Sequence, residues 1–247
     1  MAASGDRAIQ VRPSGWTQRT ITRQVEEWSG ARSTPVQRSD RPASAVFVEL
    51  RGFDALTEHL GEEEARSLME RCVERSCQIA RDASGSEPVV SGAETRPVIS
   101  ATFEGERHAA RALSTAVAIR DSVEQVQPSP LPGTGLEACG GVNTGFVVDV
   151  EMDGDEPVSF LAVGTLRSFA VRLMEFAGPG DVFVSDETRS EIAGGAIVRS
   201  IGEMRINEWG EKAEAFRLLD LVPAPARPME ARGFVPGLPI RAAAPRG

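Results

Sequence analysis

The sequence predicts an α+β chain in which helices pack on one face of a mixed, antiparallel-containing sheet in a split βαβ order. Three observations predict it. Along residues 44–221 the hydrophobic pattern switches repeatedly between a period of two and a period of 3.6. The runs follow one another as β-α-β-β-α-β with further strands at the end. Of the 247 residues, 41% are apolar, enough to bury a full core and to exclude a wholly disordered or fibrous chain.

Ser44 to Leu50 is an apolar run stopped by Arg51-Gly52, as in a buried strand entering a turn. From about Asp54 to Asp82, Leu60, Ala65, Leu68, Met69, Cys72, Val73, Ile79 and Ala80 recur at three- and four-residue spacings, which gives one long amphipathic helix or two joined at Gly61. Pro88–Val90 and Val98–Phe103 form a strand pair, and a helix follows from about Glu106 to Val126, with His108 at an exposed position near its start. Four of the nine residues from Gln127 to Gly135 are Pro128, Pro130, Pro132 and Gly133, so this segment is a loop.

Leu136–Val142, Phe146–Met152 and Val158–Val163 are three strand-like runs, the first two separated by Asn143-Thr144-Gly145 as a hairpin and the last two by Asp153-Gly154-Asp155. A helix over Leu166–Phe176 closes at Gly178-Pro179-Gly180. Asp181–Ser185 is a strand, Asp186–Ala193 a short helix capped by Ser185, and Ala196–Arg205 and Ala215–Leu221 are the closing strands, with Trp209 in the turn before the last.

Three regions follow: a flexible basic segment 1–43, a folded body 44–221, and a disordered Pro/Ala/Arg-rich tail 222–247. The first segment holds seven Arg against four acids and the tail four Arg against one. Of the 27 basic and 36 acidic residues in the chain, 16 and 31 therefore remain in the body, a net of -15 within an overall -9. That balance excludes a protein that coats nucleic acid by neutralising phosphates, and it suits basic ends that lie on the body or on a partner. Trp16 and Trp28 give the first segment two aromatic anchors. No apolar run reaches the ~20 residues of a membrane span and no secretory leader is legible, so a cytoplasmic protein is expected. Three cysteines, Cys72, Cys77 and Cys139, are too few and odd in number for a disulfide framework, and Cys72 and Cys77 read as helix core rather than metal ligands.

Three pieces carry a resemblance. They are Val-Phe-Val-Glu-Leu-Arg-Gly-Phe (46–53); Ser-Ala-Thr-Phe-Glu-Gly (100–105) with its Ala-rich helix and Ala-Ile-Arg-Asp (118–121); and Asn-Thr-Gly (143–145), Ala-Val-Gly (162–164) and the run from Phe169 to Ser185. In this order they resemble the catalytic domain of class III nucleotidyl cyclases, the adenylate and guanylate cyclases, over about residues 44–221. The resemblance implies a ferredoxin-like split βαβ fold and a head-to-tail homodimer with sites at the subunit interface. It also implies two divalent metals, Mg or Mn, held by a pair of aspartates, and attack of a ribose 3′-hydroxyl on the α-phosphate. Hard cations need oxygen ligands, and carboxylates supply them.

Set on this chain, the family pattern is eroded. The first metal position is Glu49, a longer carboxylate. The second falls on Arg96-Pro97 and is lost at Pro97, unless a shift of register brings in Glu87 or Glu94. The base-reading Lys position is Ala93. Thr165 stands where a base contact is expected and Ser168 where an Asn orients the ribose. Arg172 matches the Arg that stabilises phosphate charge in the transition state, and an interface ion pair accounts for it equally well. Arg172 lies four residues beyond Ser168, so a helix puts both on one face.

These residues favour a degenerate cyclase-like domain without catalysis or cofactor, a dimeric regulatory or scaffolding module that pairs with itself or another cyclase-like chain and meets a partner through its tails. Two alternatives stand beside it. One is a divergent cyclase that uses Glu49 and a metal to form a 3′,5′-cyclic nucleotide and pyrophosphate. The other is a nucleotide-binding sensor without chemistry.

Overall fold

The computed structural model describes residues 38–127, 135–150, 158–161, 166–205 and 212–222. The calls on Trp16, Trp28, the 128–134 loop, the 153–155 turn, Thr165, Trp209 and the tail beyond Val222 lie outside these residues.

The first strand, β1 (Arg38–Arg51), begins six residues before the expected edge of the body at 44. Its early residues pair with both neighbours, Arg38 opposite Val150 and Ala43 opposite Glu104. Gly52 then turns the chain with φ 103, and a Cβ there would meet the Gly135 carbonyl oxygen at 2.3 Å, so the turn requires glycine. The long helical pattern is two helices broken at Gly61, α1 (Phe53–Leu60) and α2 (Glu62–Ser84). A hairpin follows, β2 (Val89–Ala93) and β3 (Arg96–Glu104), and then α3 (His108–Val126).

The expected hairpin at Asn143-Thr144-Gly145 is absent: one strand, β4 (Glu137–Val150), runs through it. Asn143 instead donates from Nδ2 to the Leu166 carbonyl at 3.0 Å, and Gly145 lies against the Leu166 side chain. The short β5 (Val158–Leu161) pairs back on β4. The remaining elements are α4 (Leu166–Phe176), β6 (Val182–Ser185), α5 (Asp186–Glu191), β7 (Ala196–Arg205) and β8 (Lys212–Leu221). Ser185 caps α5 as expected, its Oγ accepting from the Thr188 N–H at 3.1 Å.

The sheet runs β2-β3-β1-β4-β6-β8-β7, with β4 and β6 parallel and the other described pairs antiparallel. Alternation along β1 sorts the core. Val46, Val48 and Leu50 join the cluster built with α1, α2 and α3, while Ala43, Ala45 and Phe47 face Leu166, Ala170 and Met174 of α4. Helices thus cover both faces, where the sequence reading had them on one. The uninterrupted apolar run of β1 is what two-sided burial requires. The approach of α4 is close because Gly141 has no side chain: a Cβ there would lie 2.1 Å from the Ala170 carbonyl oxygen.

His108 is buried, not exposed. Its Nδ1 lies 2.9 Å from Ser44 Oγ, which continues at 2.7 Å to Thr144 Oγ1 and from there at 3.0 Å to Thr188 Oγ1. No described helix is long and apolar enough to cross a membrane.

Candidate functional site

Glu49 lies on the α4 face of β1, close to the turn at Gly52, and it is only 7% exposed. A buried carboxylate needs cationic or hydrogen-bonding partners. It has two, both arginines. Arg51 shares its face two residues on and donates from Nε to Oε2 at 2.5 Å. The rest of that guanidinium reaches the end of α4, donating to the Ala177 carbonyl at 2.9 Å and the Met174 carbonyl at 3.1 Å. These are carbonyls at the C-terminus of a helix, where positive charge is favoured. Arg96, on the neighbouring strand, stands 2.8 Å from the other carboxylate oxygen, Oε1, through Nη2.

Register decides which residue of β3 meets Glu49. Glu49 pairs with Val98, so Val98 and Arg96 share its face and Pro97 points to the other. Pro97 is buried in β3 opposite Gly92 of β2. The residue of β3 that meets Glu49 is therefore Arg96, and Pro97 faces away from it. Ala93 pairs with Arg96 at the end of the hairpin and is exposed.

The register shift that would bring in another carboxylate does not occur. Glu87 is held by Arg81, which donates from Nε at 2.7 Å and Nη2 at 2.6 Å, and these bonds hold its carboxyl below the usual range. Glu94 is 90% exposed and pairs with Arg66 at 3.3 Å. Divalent Mg or Mn needs several oxygen ligands at one point. On this face both oxygens of Glu49 are taken by guanidinium groups, Glu137 of β4 stands opposite Arg51, and no described cluster of three or more His, Cys, Asp or Glu forms. The donor set does not fit a two-metal centre.

Ser168 and Arg172 lie on α4 off its buried stripe of Leu166, Phe169, Ala170, Leu173 and Met174. Arg172 donates to Glu175 Oε2 at 3.0 Å, and the pair is about half exposed. Thr165, just before α4, lies outside the described residues. Within one chain the structure thus gathers Glu49 and Arg96 but gives Arg172 a partner on its own helix. A cavity of about 630 Å³ lies elsewhere, between α3, the turn after α5 and the end of β8, and none of the expected site residues lines it.

Sequence reasoning missed Arg51. The signal was present, since Glu and Arg two apart in a strand share a face.

No family model and no curated protein matches this chain. Solved structures do. The adenylyl cyclase CyaB from P. aeruginosa is 20% identical, with a TM-score of 0.57 over 76% of this chain and 98% of that one. The guanylate cyclase domain of RhGC from Catenaria anguillulae, solved with GTP, is 17% identical, with a TM-score of 0.54 over 74% and 100%. The non-canonical dimeric guanylyl cyclase domain of the RhoGC fusion protein from Blastocladiella emersonii is 19% identical, with a TM-score of 0.56 over 75% and 99%. At these identities the likeness carries the fold: the chain has the architecture of the adenylyl and guanylyl cyclase catalytic domains.

Proposed function

We propose that this chain is a cyclase-fold domain without cyclase activity, working as a dimeric regulatory or scaffolding module. The observation that carries the reading is the state of Glu49, whose two carboxylate oxygens are bound by Arg51 and Arg96. A metal that activates a hydroxyl and offsets phosphate charge lowers a barrier by roughly several kcal/mol, and each ~1.4 kcal/mol is about tenfold in rate. With no ligand pair for that metal and Ala93 at the base-reading position, turnover falls to nothing measurable.

The dimer is supported by the dimeric RhoGC domain among the similar structures and by one exposed aromatic side chain on this chain. Phe176, at the end of α4 beside the carbonyls that Arg51 binds, is 64% exposed. Aromatic side chains in such places anchor interfaces. In the assembly, Thr165, Ser168 and Arg172 serve packing and Arg172 retains its ion pair. The basic end segments, 1–37 and 223–247, carry the contact with a partner protein.

Incubation of the purified chain with Mn²⁺ and ATP or GTP tests the reading. The expected result is no cyclic nucleotide above a no-protein control. Product that disappears in Glu49→Ala overturns the proposal and installs the divergent enzyme in its place. Light scattering on the eluted peak should report twice the chain mass of 26.4 kDa.

A further inference from the structure

The cavity of about 630 Å³ beside α3 is a groove built largely for apolar contact. Ala110, Leu113 and Ser114 of α3 form one wall, Ile192 and Ala193 of the turn after α5 form another, and Val222, 42% exposed, lines the end of β8. Its volume is within the ~300–1,000 Å³ of cavities that take up a ligand. The Val222 N–H donates to the Gly195 carbonyl at 3.0 Å, and Gly195 also lines the groove, so the chain leaves the body at this wall. We propose that residues 234–240, Phe-Val-Pro-Gly-Leu-Pro-Ile, dock in the groove of their own chain. The inference does not depend on whether the chain is catalytically silent, since none of Glu49, Arg51 and Arg96 lines the groove.

Composition singles out the segment. From Pro223 to Gly247 the large apolar residues are Met229, Phe234, Val235, Leu238 and Ile240, and four of these five fall within 234–240. Pro236 and Pro239 have no N–H to leave without a partner on burial, and their fixed φ lowers the cost of ordering the segment.

Reach and charge agree with this occupant. The eleven residues 223–233 have a root-mean-square span of roughly 18 Å as a coil, and the wall of α3 from Arg107 to Ser114 is about 10 Å long. Such a tether presents the segment at about millimolar effective concentration, so even a weak contact is occupied. Residues 223–247 carry four Arg and one Glu, against the net of -15 on the body, which gives an attraction that salt weakens. Of the charged groove residues, Glu191 suits Arg232 or Arg241, and Arg107 suits Glu230.

The test is paramagnetic broadening in nuclear magnetic resonance spectra of the isotope-labelled full chain. A nitroxide is placed at Ala118→Cys, exposed on α3 one turn beyond Ser114, with Cys77→Ser to remove the partly buried thiol. Resonances of 234–240 should be broadened. Phe234→Ser/Leu238→Ser keeps the tether and should lower the docked-to-free ratio at least about tenfold, leaving only the broadening of a freely tethered chain. Ser114→Arg, which fills the groove from an exposed helical position, should do the same. If Ser114→Arg does not fold by circular dichroism, the Phe234→Ser/Leu238→Ser comparison decides, because it leaves the body untouched. Equal broadening in the parent and in Phe234→Ser/Leu238→Ser overturns the proposal. So does broadening that arises only when nitroxide-bearing chains are mixed with isotope-labelled chains lacking the nitroxide, since the segment then sits in the groove of a second copy.

Discussion

Arg51 joins Glu49 to the C-terminus of α4. One guanidinium bonds the carboxylate at 2.5 Å and the Ala177 and Met174 carbonyls at 2.9 and 3.1 Å. The pair links the strand that carries the candidate site to the only helix on that side of the sheet among the described residues. It is a brace as well as a charge neutraliser.

Removing the carboxylate charge should therefore cost stability. Glu49→Gln leaves two guanidinium groups facing an uncharged amide. Loss of one partner from a buried ion pair is worth ~3–5 kcal/mol when both ends are buried. Here only Glu49 is, and about 2 kcal/mol is expected in urea unfolding. Arg96→Gln breaks only the solvent-facing pair and should cost under ~1 kcal/mol. Equal losses for the two variants would show that Arg51 is not the brace.

Gly141 sets how close α4 can come. A Cβ there would sit 2.1 Å from the Ala170 carbonyl oxygen and 2.5 Å from the Met174 backbone nitrogen, both of them backbone atoms that cannot rotate aside. Gly141→Ala should lose roughly 3 kcal/mol or more, at or beyond the upper end of ordinary overpacking. Gly145→Ala, four residues along the same strand, would meet Leu166 at 3.6 Å, an ordinary contact, and should change stability by less than ~1 kcal/mol. Thermal melts of the two variants make the comparison.

The same glycines explain what was and was not legible in the sequence. Ser44–Leu50, the break at Gly61 and the helix Leu166–Phe176 were readable because each rests on local periodicity or a local breaker. Asn143-Thr144-Gly145 was misread as a turn because its composition is that of a turn, whereas its use is tertiary: Asn143 and Gly145 receive the first residue of α4. The burial of His108 depends on Ser44, 64 residues away, and no local pattern reports it. At the candidate site, Glu49 was readable from its motif, but the choice between Arg96 and Pro97 depended on pairing register, in which one residue of slip exchanges the faces.

The cysteines should be slow to react. Burial pushes the thiols of Cys72 and Cys139 up to about 11. Alkylation requires the thiolate, so native protein at pH 8 should label first at Cys77, which is only partly buried and less shifted. Peptide mass spectrometry after iodoacetamide gives the order. The sign for stability follows. A folded-state value raised from the ordinary 9.0 means that the fold holds these protons more tightly than the unfolded chain does. The contribution is present below pH 9 and is lost as pH rises from about 9 to about 11. Cys72→Ala/Cys139→Ala should flatten the stability profile in that window, read from urea midpoints at each pH.

Ser44 holds the centre of the buried hydroxyl chain between β1, β4, α3 and α5, with His108 Nδ1 at 2.9 Å and Thr144 Oγ1 at 2.7 Å on its two sides. Ser44→Ala removes one oxygen and strands a buried ring nitrogen. The cost of such a group left without its partner is about 1–3 kcal/mol, more than a hydrogen bond contributes when both partners can return to water. Ser200 is a suitable control, because its Oγ donates to Glu214 at 2.9 Å on the exposed surface. Ser200→Ala should change stability by no more than ~0.5 kcal/mol. The Ser44 loss should also be rescued in part by His108→Leu, which removes the stranded nitrogen: the double variant should be more stable than the sum of the single losses implies. Strict additivity of the two substitutions would mean that the contact between Ser44 and His108 carries no coupling, and that the burial of His108 is held by packing alone.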